Sequence, residues 1–291
     1  MKRFVLVYNP ISGHATFRRK LDAMIEAFQK RGCMLIPYRT QPDDHALPDF
    51  LREAAPDGVL SAGGDGTLHE VVNVLLKNDL QLPVAVIGSG TSNDFASYLQ
   101  VKDDFAGYIE HIVAGRMRPV DIGMVNERYF VNVASAGMLT SVAHEVDVRL
   151  KHAMGKMAYY LRGLGELPRF RPLQLHIEAD GKAYDEAAFL FVVVNSDIVG
   201  SIKHAAAKAQ VDDGMLDLLL VRQCSLPELM AFTAELVAGR MKPDAKHLLY
   251  VQAKSFTISS AEAVESDVDG ERGPLLPLQI TTLPRAIQVF Y

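Results

Sequence analysis

Apolar positions follow two different rhythms along the chain. Over the first third, short β-rich runs alternate with stretches of helical spacing. Residues 4–8 form one such run, and residues 15–31 carry Phe17, Leu21, Met24, Ile25 and Phe28 at helical intervals. Residues 33–38 read as a strand and 44–55 as a helix. Residues 59–62 read as a short buried strand with a helix after it to about residue 76, and 83–87 as a further strand leading into a helix. Strands separated by helices imply βαβ units and a parallel sheet covered on both faces.

Near residue 120 the rhythm changes to that of strands and turns. Leu173, Leu175, Ile177 and Ala179 alternate with polar residues, and Asp180-Gly181 supplies a hairpin turn. Further strands are expected at 189–195, 215–221, 248–252, 255–259 and 279–282, which makes a mostly antiparallel sandwich. One helix is expected over 142–165. Another starts at Ser225, where Ser225-Leu226-Pro227-Glu228 has capping-box spacing, and ends at Gly239. Residues 1–122 and 123–283 are therefore read as an α/β domain and a β-sandwich domain, joined without a low-complexity linker.

Composition narrows the classes. The chain has 291 residues, 49% of them hydrophobic, which is enough for two sizeable cores. Its formal net charge of −5 does not point to a nucleic-acid partner. Cys33 and Cys224, the two cysteines, lie far apart, which fits a reducing, cytoplasmic compartment. The apolar runs are of core-strand length, well short of the roughly 20 residues of a membrane span. The segment 142–165 combines Val142, Val146, Leu150, Met154, Met157 and Leu161 with Arg149, Lys151, His152, Lys156 and Arg162. It reads either as a core-packing helix or as a basic amphipathic helix lying on an anionic bilayer.

The chemistry-bearing segments are three polar, glycine-containing turns, each following a strand of the first domain. They are Asn9-Pro10-Ile11-Ser12-Gly13, Gly63-Gly64-Asp65-Gly66-Thr67 and Gly88-Ser89-Gly90-Thr91-Ser92-Asn93-Asp94. Loops at the carboxyl ends of parallel strands line the ligand crevice of such sheets. Glycines admit close backbone approach to phosphate, and a following helix presents free N–H groups to it. Thr67–Glu70 and Thr91–Asp94 have capping-box spacing, so helices are expected to start there. Neither a Walker A sequence nor a GxGxxG is present. An acidic residue in a phosphate loop would repel nucleotide unless it holds Mg²⁺, so Asp65 points to a metal–nucleotide site; its other reading is an Asp stabilising its own turn.

Taken together, Asn9-Pro10-x-Ser12-Gly13, Gly63–Thr67 and Gly90-Thr91-x-Asn93-Asp94-Phe95-Ala96 resemble the catalytic domain shared by diacylglycerol, sphingosine and ceramide kinases. The likeness continues through Val120–Gly123, Asn132–Gly137, Asp212–Asp217 and Asp269-Gly270-Glu271, and so covers essentially the whole chain. It implies an α/β nucleotide domain followed by a β-sandwich lipid-substrate domain, with a last strand, about 284–291, returning to the first domain.

The resemblance also implies roles. Asn9, Pro10, Ser12, Gly13, Gly63, Gly64, Gly66, Thr67, Thr91 and Asn93 would hold ATP, with Thr40 beside them. Asp65 would face the nucleotide's Mg²⁺, Asp94 and Asp121 would join the charged network around it, and Glu271 would be the general base. A second, structural Mg²⁺ would be held by the Asp213 carboxylate and the carbonyls of Gln210 and Met215. The partner would be a lipid alcohol met at the inner membrane surface, and enzymes of this kind are commonly homodimers. Two departures stand out: Ser97 follows the NDFA element where the family often has a basic residue, and Ala205-Ala206-Ala207 stands where a proline is common. The competing readings are a kinase for a soluble hydroxyl compound such as NAD, whose kinases share the GGDGT element, and a nucleotide-binding regulator without catalysis.

Overall fold

The computed structural model describes residues 1–10, 17–41, 45–88, 93–99, 105–137 and 171–291. The chain folds into two units. One comprises Met1–Ile122, Val211–Asp213 and Leu283–Tyr291; the other comprises Gly123–Gln210 and Gly214–Thr282.

The first unit is built on parallel strands β1 (Arg3–Tyr8), β2 (Met34–Arg39), β3 (Gly58–Gly63) and β4 (Val84–Gly88). β1 lies between β2 and β3, and β4 lies beyond β3. All six residues of β3 are buried, as expected of a central parallel strand covered on both faces. The connecting helices are α1 (Phe17–Gln29), α2 (Leu47–Ala54), α3 (Asp65–Lys77), α4 (Asp94–Tyr98) and α5 (Phe105–Ala114). On one face Phe4, Leu6, Leu60, Ala62, Ala85 and Ile87 meet Met24 and Phe28 of α1 and Ile109 and Ile112 of α5. α3 buries Leu68, Val71, Val72 and Leu75.

The end of a long strand, β15 (Leu278–Phe290), completes this sheet by running parallel to β4, with Val289 opposite Val84. Phe290 joins the core beside Phe4, ring centroids 6.3 Å apart. The buried hydroxyl of Tyr108, on α5, donates to Phe290 O at 3.2 Å and accepts from Val86 N at 3.1 Å, so one side chain ties α5, β4 and β15 together. Burial pushes its pKa up to about 12, so the hydroxyl keeps its proton.

The second unit is an antiparallel sandwich. Its strands are β6 (Arg128–Phe130), β7 (Val133–Gly137), β8 (Leu173–Ala179), β9 (Lys182–Val194), β10 (Leu216–Arg222), β11 (Leu248–Ala253), β12 (Ser255–Ser260), β13 (Glu265–Val268) and β14 (Glu271–Leu275). The end of β5 (Met117–Val125), from Gly123 on, and the start of β15, through Thr282, also belong to it. β8 and β9 form the hairpin expected from Asp180-Gly181, both at positive φ. Ile177, Phe191, Leu218, Phe256, Ile258 and Ile280 fill one core. A second cluster lies under the helix α6 (Leu226–Val237), whose Leu229 and Phe232 pack with Leu219, Val221 and Leu248. α6 starts as its sequence requires: the Glu228 carboxylate accepts the Ser225 backbone N–H at 3.0 Å and its hydroxyl at 2.7 Å.

Three expected helix starts are corrected. α3 begins at Asp65, with Gly64 as its extended N-cap, so Thr67 lies inside the first turn rather than capping it. A Cβ at Gly63 would overlap the Thr67 side chain, which is folded back over the end of β3. α4 begins at Asp94 with Asn93 as N-cap in the left-handed region, φ 51°, two residues later than the Thr91–Asp94 capping box requires. The helix expected from Asp44 begins at Leu47. Asp44 and the segment 142–165 lie outside the described residues.

Candidate active site

In the first unit the chain winds from β1 to β2 on one side, then to β3 and β4 on the other. The point where the order reverses lies between β1 and β3, the place where open parallel sheets bind ligands at their carboxyl ends. Asn9 and Pro10 follow β1 at that end, Thr40 follows β2, Gly63 closes β3 and leads into α3, and Gly88 closes β4. Asn9 N donates to Ala62 O at 3.2 Å, which holds the first loop against the end of β3. The Thr40 backbone N–H and hydroxyl both donate to Tyr8 O, at 3.0 and 3.4 Å. Ser12, Gly13 and Thr91 lie outside the described residues.

Asp65 joins the second loop to the third. Its Oδ2 accepts the Asp94 backbone N–H at 3.2 Å, and its Oδ1 accepts that of Phe95 at a long 3.5 Å. The carboxylate thus links the first turns of two helices. Asp94 itself is buried.

Asp121, in β5 of the same unit, is fully buried. Its Oδ1 accepts the Arg285 backbone N–H at 2.7 Å, and its own N–H donates to Val211 O at 2.6 Å. It thus holds in place the two later segments that complete the first unit. Asp213 is exposed in one of these segments, ahead of Gly214 at φ 75°. Gln210 and Met215, which flank it in sequence, belong to the second unit, the former exposed and the latter half-buried. Asp213 offers a carboxylate, an oxygen donor of the kind Mg²⁺ takes.

Glu271 is exposed at the start of β14, opposite Val268 of β13. The hairpin turn between them is Asp269-Gly270, with φ 52° and 90°, the positive values a two-residue type I′ turn demands. Asp269 anchors this turn. Its Oδ2 accepts Val131 N at 2.7 Å, and its Oδ1 accepts Asn132 N and Val133 N, each at 2.9 Å. Gly270 N donates to Asp267 Oδ1 at 2.9 Å. Asn132 is itself buried, and its Oδ1 accepts no hydrogen bond among the described residues. Sequence reasoning missed this anchor and this orphan acceptor. The Asp-Gly pair did signal the turn, but nothing in the sequence tells which distant amides an Asp side chain takes.

The first unit thus carries glycine loops at the switch point of a parallel sheet, with a carboxylate tying two of those loops. Residues 3–125 match the diacylglycerol kinase catalytic domain, and residues 132–291 match the YegS C-terminal NAD kinase beta sandwich-like domain. The chain belongs to the diacylglycerol kinase family of lipid kinases, and it is a kinase whose phosphoryl donor is ATP.

A diacylglycerol kinase of Bacillus subtilis (strain 168) is 35% identical over 294 residues, covering 99% of this chain and 96% of its own. One from Staphylococcus aureus (strain bovine RF122 / ET3-1) is 35% identical over 291 residues, covering 99% and 92%. The crystal structure of a diacylglycerol kinase from Bacillus anthracis str. Sterne covers 100% of this chain and 97% of its own, with a TM-score of 0.80 at 26% identity. Among the described residues, no helix is long and apolar enough to cross a membrane.

Proposed function

We propose that this chain transfers the γ-phosphoryl group of ATP to the hydroxyl of a diacylglycerol-like lipid, giving a lipid phosphate and ADP, at the cytoplasmic face of a membrane. The observation that carries the reading is the Asp65 carboxylate bound to the amides of Asp94 and Phe95, because it brings two glycine-containing loops together at the carboxyl end of a parallel sheet.

In this reading the loop residues 9–13, 63–67 and 91–93 cradle the nucleotide, with Thr40 beside the end of β1. Asp65 faces the nucleotide's Mg²⁺, and Asp94 and Asp121 extend the acidic network. Mg²⁺, when bound, neutralises the charge on the phosphates. Glu271 accepts the proton of the attacking lipid hydroxyl, and its exposed place at a turn pinned by Asp269 lets it do so without refolding. The loop 210–215 holds a second, structural Mg²⁺ through Asp213 and the two carbonyls. A second reading takes NAD as acceptor, because the carboxyl-terminal match is to an NAD kinase-like sandwich.

The test is transfer of labelled γ-phosphate to diacylglycerol, monoacylglycerol, phosphatidylglycerol, ceramide and sphingoid bases in mixed micelles, with NAD as a separate arm. Labelled diacylglycerol or a close relative is expected. Label only in NAD would overturn the lipid reading. Glu271→Gln should lower single-turnover transfer by about 10²–10⁴-fold with ATP affinity unchanged and no rescue by added Mg²⁺. A loss of less than about tenfold would move the base elsewhere.

A further inference from the structure

A helix on the surface of a domain ordinarily turns its polar face outward. α6 does not. Its buried side carries Leu229 and Phe232. Its exposed side carries Leu226, Pro227, Met230, Ala231 and Ala234, with Glu235 the charged residue at its margin. Leu226 and Met230, one turn apart, are 47% and 54% exposed.

The end of the same helix is cationic. The chain leaves it through Gly239, φ 65°, into Arg240 and Lys242, both exposed. Lys203, also exposed, is brought to the same corner: a Cβ on Gly239 would lie 3.9 Å from Lys203 O. Among the described residues no ion pair joins Lys203, Arg240 or Lys242 to a carboxylate, whereas Lys246 is neutralised by Glu228 at 2.7 Å. The exposed acids nearest in sequence are Glu235 and Asp244, and the helix also carries Glu228, paired with Lys246.

We infer that the outer face of α6 is a membrane-docking surface, inserting Leu226 and Met230 among the lipids of an anionic bilayer while Lys203, Arg240 and Lys242 meet its headgroups. This rests on the lipid-kinase reading for its purpose but not for its chemistry. An apolar strip edged by unpaired cations is the pattern of a helix that lies in a membrane interface. The obvious rival occupant is a second copy of the chain. A two-fold dimer through this face would set the three cations against themselves, whereas an anionic surface compensates them.

The experiment is co-sedimentation with vesicles of phosphatidylglycerol or of phosphatidylcholine, together with the rate on a short-chain diacylglycerol dissolved below its micellar concentration. The wild-type protein is expected to sediment with phosphatidylglycerol vesicles and weakly with phosphatidylcholine. Leu226→Ser with Met230→Ser should weaken binding by at least about tenfold. Reversal of Lys203, Arg240 or Lys242 to Glu should weaken it by about fivefold or more each, in a salt-dependent way. All these variants should keep the wild-type melting temperature and the rate on dissolved substrate. Equal vesicle binding by wild type and variants would overturn the inference. So would a change from dimer to monomer in the serine variant, which would assign the face to a second copy. If no diacylglycerol is phosphorylated while vesicle binding behaves as stated, the activity reading fails and the surface stands.

Discussion

The Asp269 carboxylate takes the backbone N–H of Val131 at 2.7 Å, and with its other oxygen those of Asn132 and Val133. An acidic side chain two residues before Glu271 thus fixes that glutamate's turn to the strand start at residue 133. Asp269→Ala leaves these amides without their acceptor. The expected cost is about 2–4 kcal/mol of stability, read by urea denaturation, with a loss of phosphoryl transfer larger than the loss of ATP affinity. A variant as stable and as active as wild type would show that the three bonds do not hold the turn.

Asp65→Asn keeps an acceptor oxygen for the Asp94 amide but removes the negative charge. Turnover should vanish at saturating ATP and Mg²⁺, while the melting temperature moves by no more than about 2 °C. Wild-type activity would end its assignment to the metal–nucleotide site. A large drop in melting temperature would mean that its charge is needed to hold α3 and α4 together.

Chelation of Mg²⁺ should both stop turnover and lower the melting temperature. An ion at loop 210–215 that binds the folded chain and not the unfolded one contributes about 2.7 kcal/mol at a hundredfold excess over its dissociation constant. Asp213→Ala should reproduce the stability loss and abolish its sensitivity to chelator. A chelator-insensitive wild-type melting temperature would remove the structural ion.

The strand rhythm of the sheets was legible because it follows burial. β3 is buried throughout and lies in the middle of a covered parallel sheet; β8 alternates and has one face outward. What was not legible came from tertiary choices. Thr67 has the spacing of a helix cap, but the backbone at Gly64 starts the helix earlier. β14 contains Gly273 and Pro274, which argue against a strand, yet it pairs only with β13 among the described strands, and an edge strand can carry a proline. The three glycine-containing turns stood out in the sequence as candidate phosphate loops. That Asp65 also reaches the amides of Asp94 and Phe95 depends on a contact 29 residues away in sequence.

Glu228 makes the stability of α6 depend on pH. Contact with Lys246, then the hydroxyl and backbone N–H of Ser225, lower its pKa from 4.5 to about 2. The folded value lies below the unfolded one, so the contribution is fully present above about pH 4.5 and is lost as pH falls toward about 2. Glu228→Gln should therefore be less stable than wild type at neutral pH, with the gap narrowing through that acid range. A gap unchanged between neutral pH and pH 2 would rule out the carboxylate as its origin.

The first unit is discontinuous in sequence. Residues 283–291 lie against β4, α5 and Asp121, although the rest of the unit, apart from 211–213, is finished by residue 122. During synthesis the nucleotide-binding half is thus the first to be made and the last to be closed, since its final strand emerges after the whole sandwich. Until then β4 is an open sheet edge and Tyr108 has no Phe290 carbonyl to bind. A nascent chain broken off at residue 282 would retain every residue of the second unit, and its injury would fall on the half translated first.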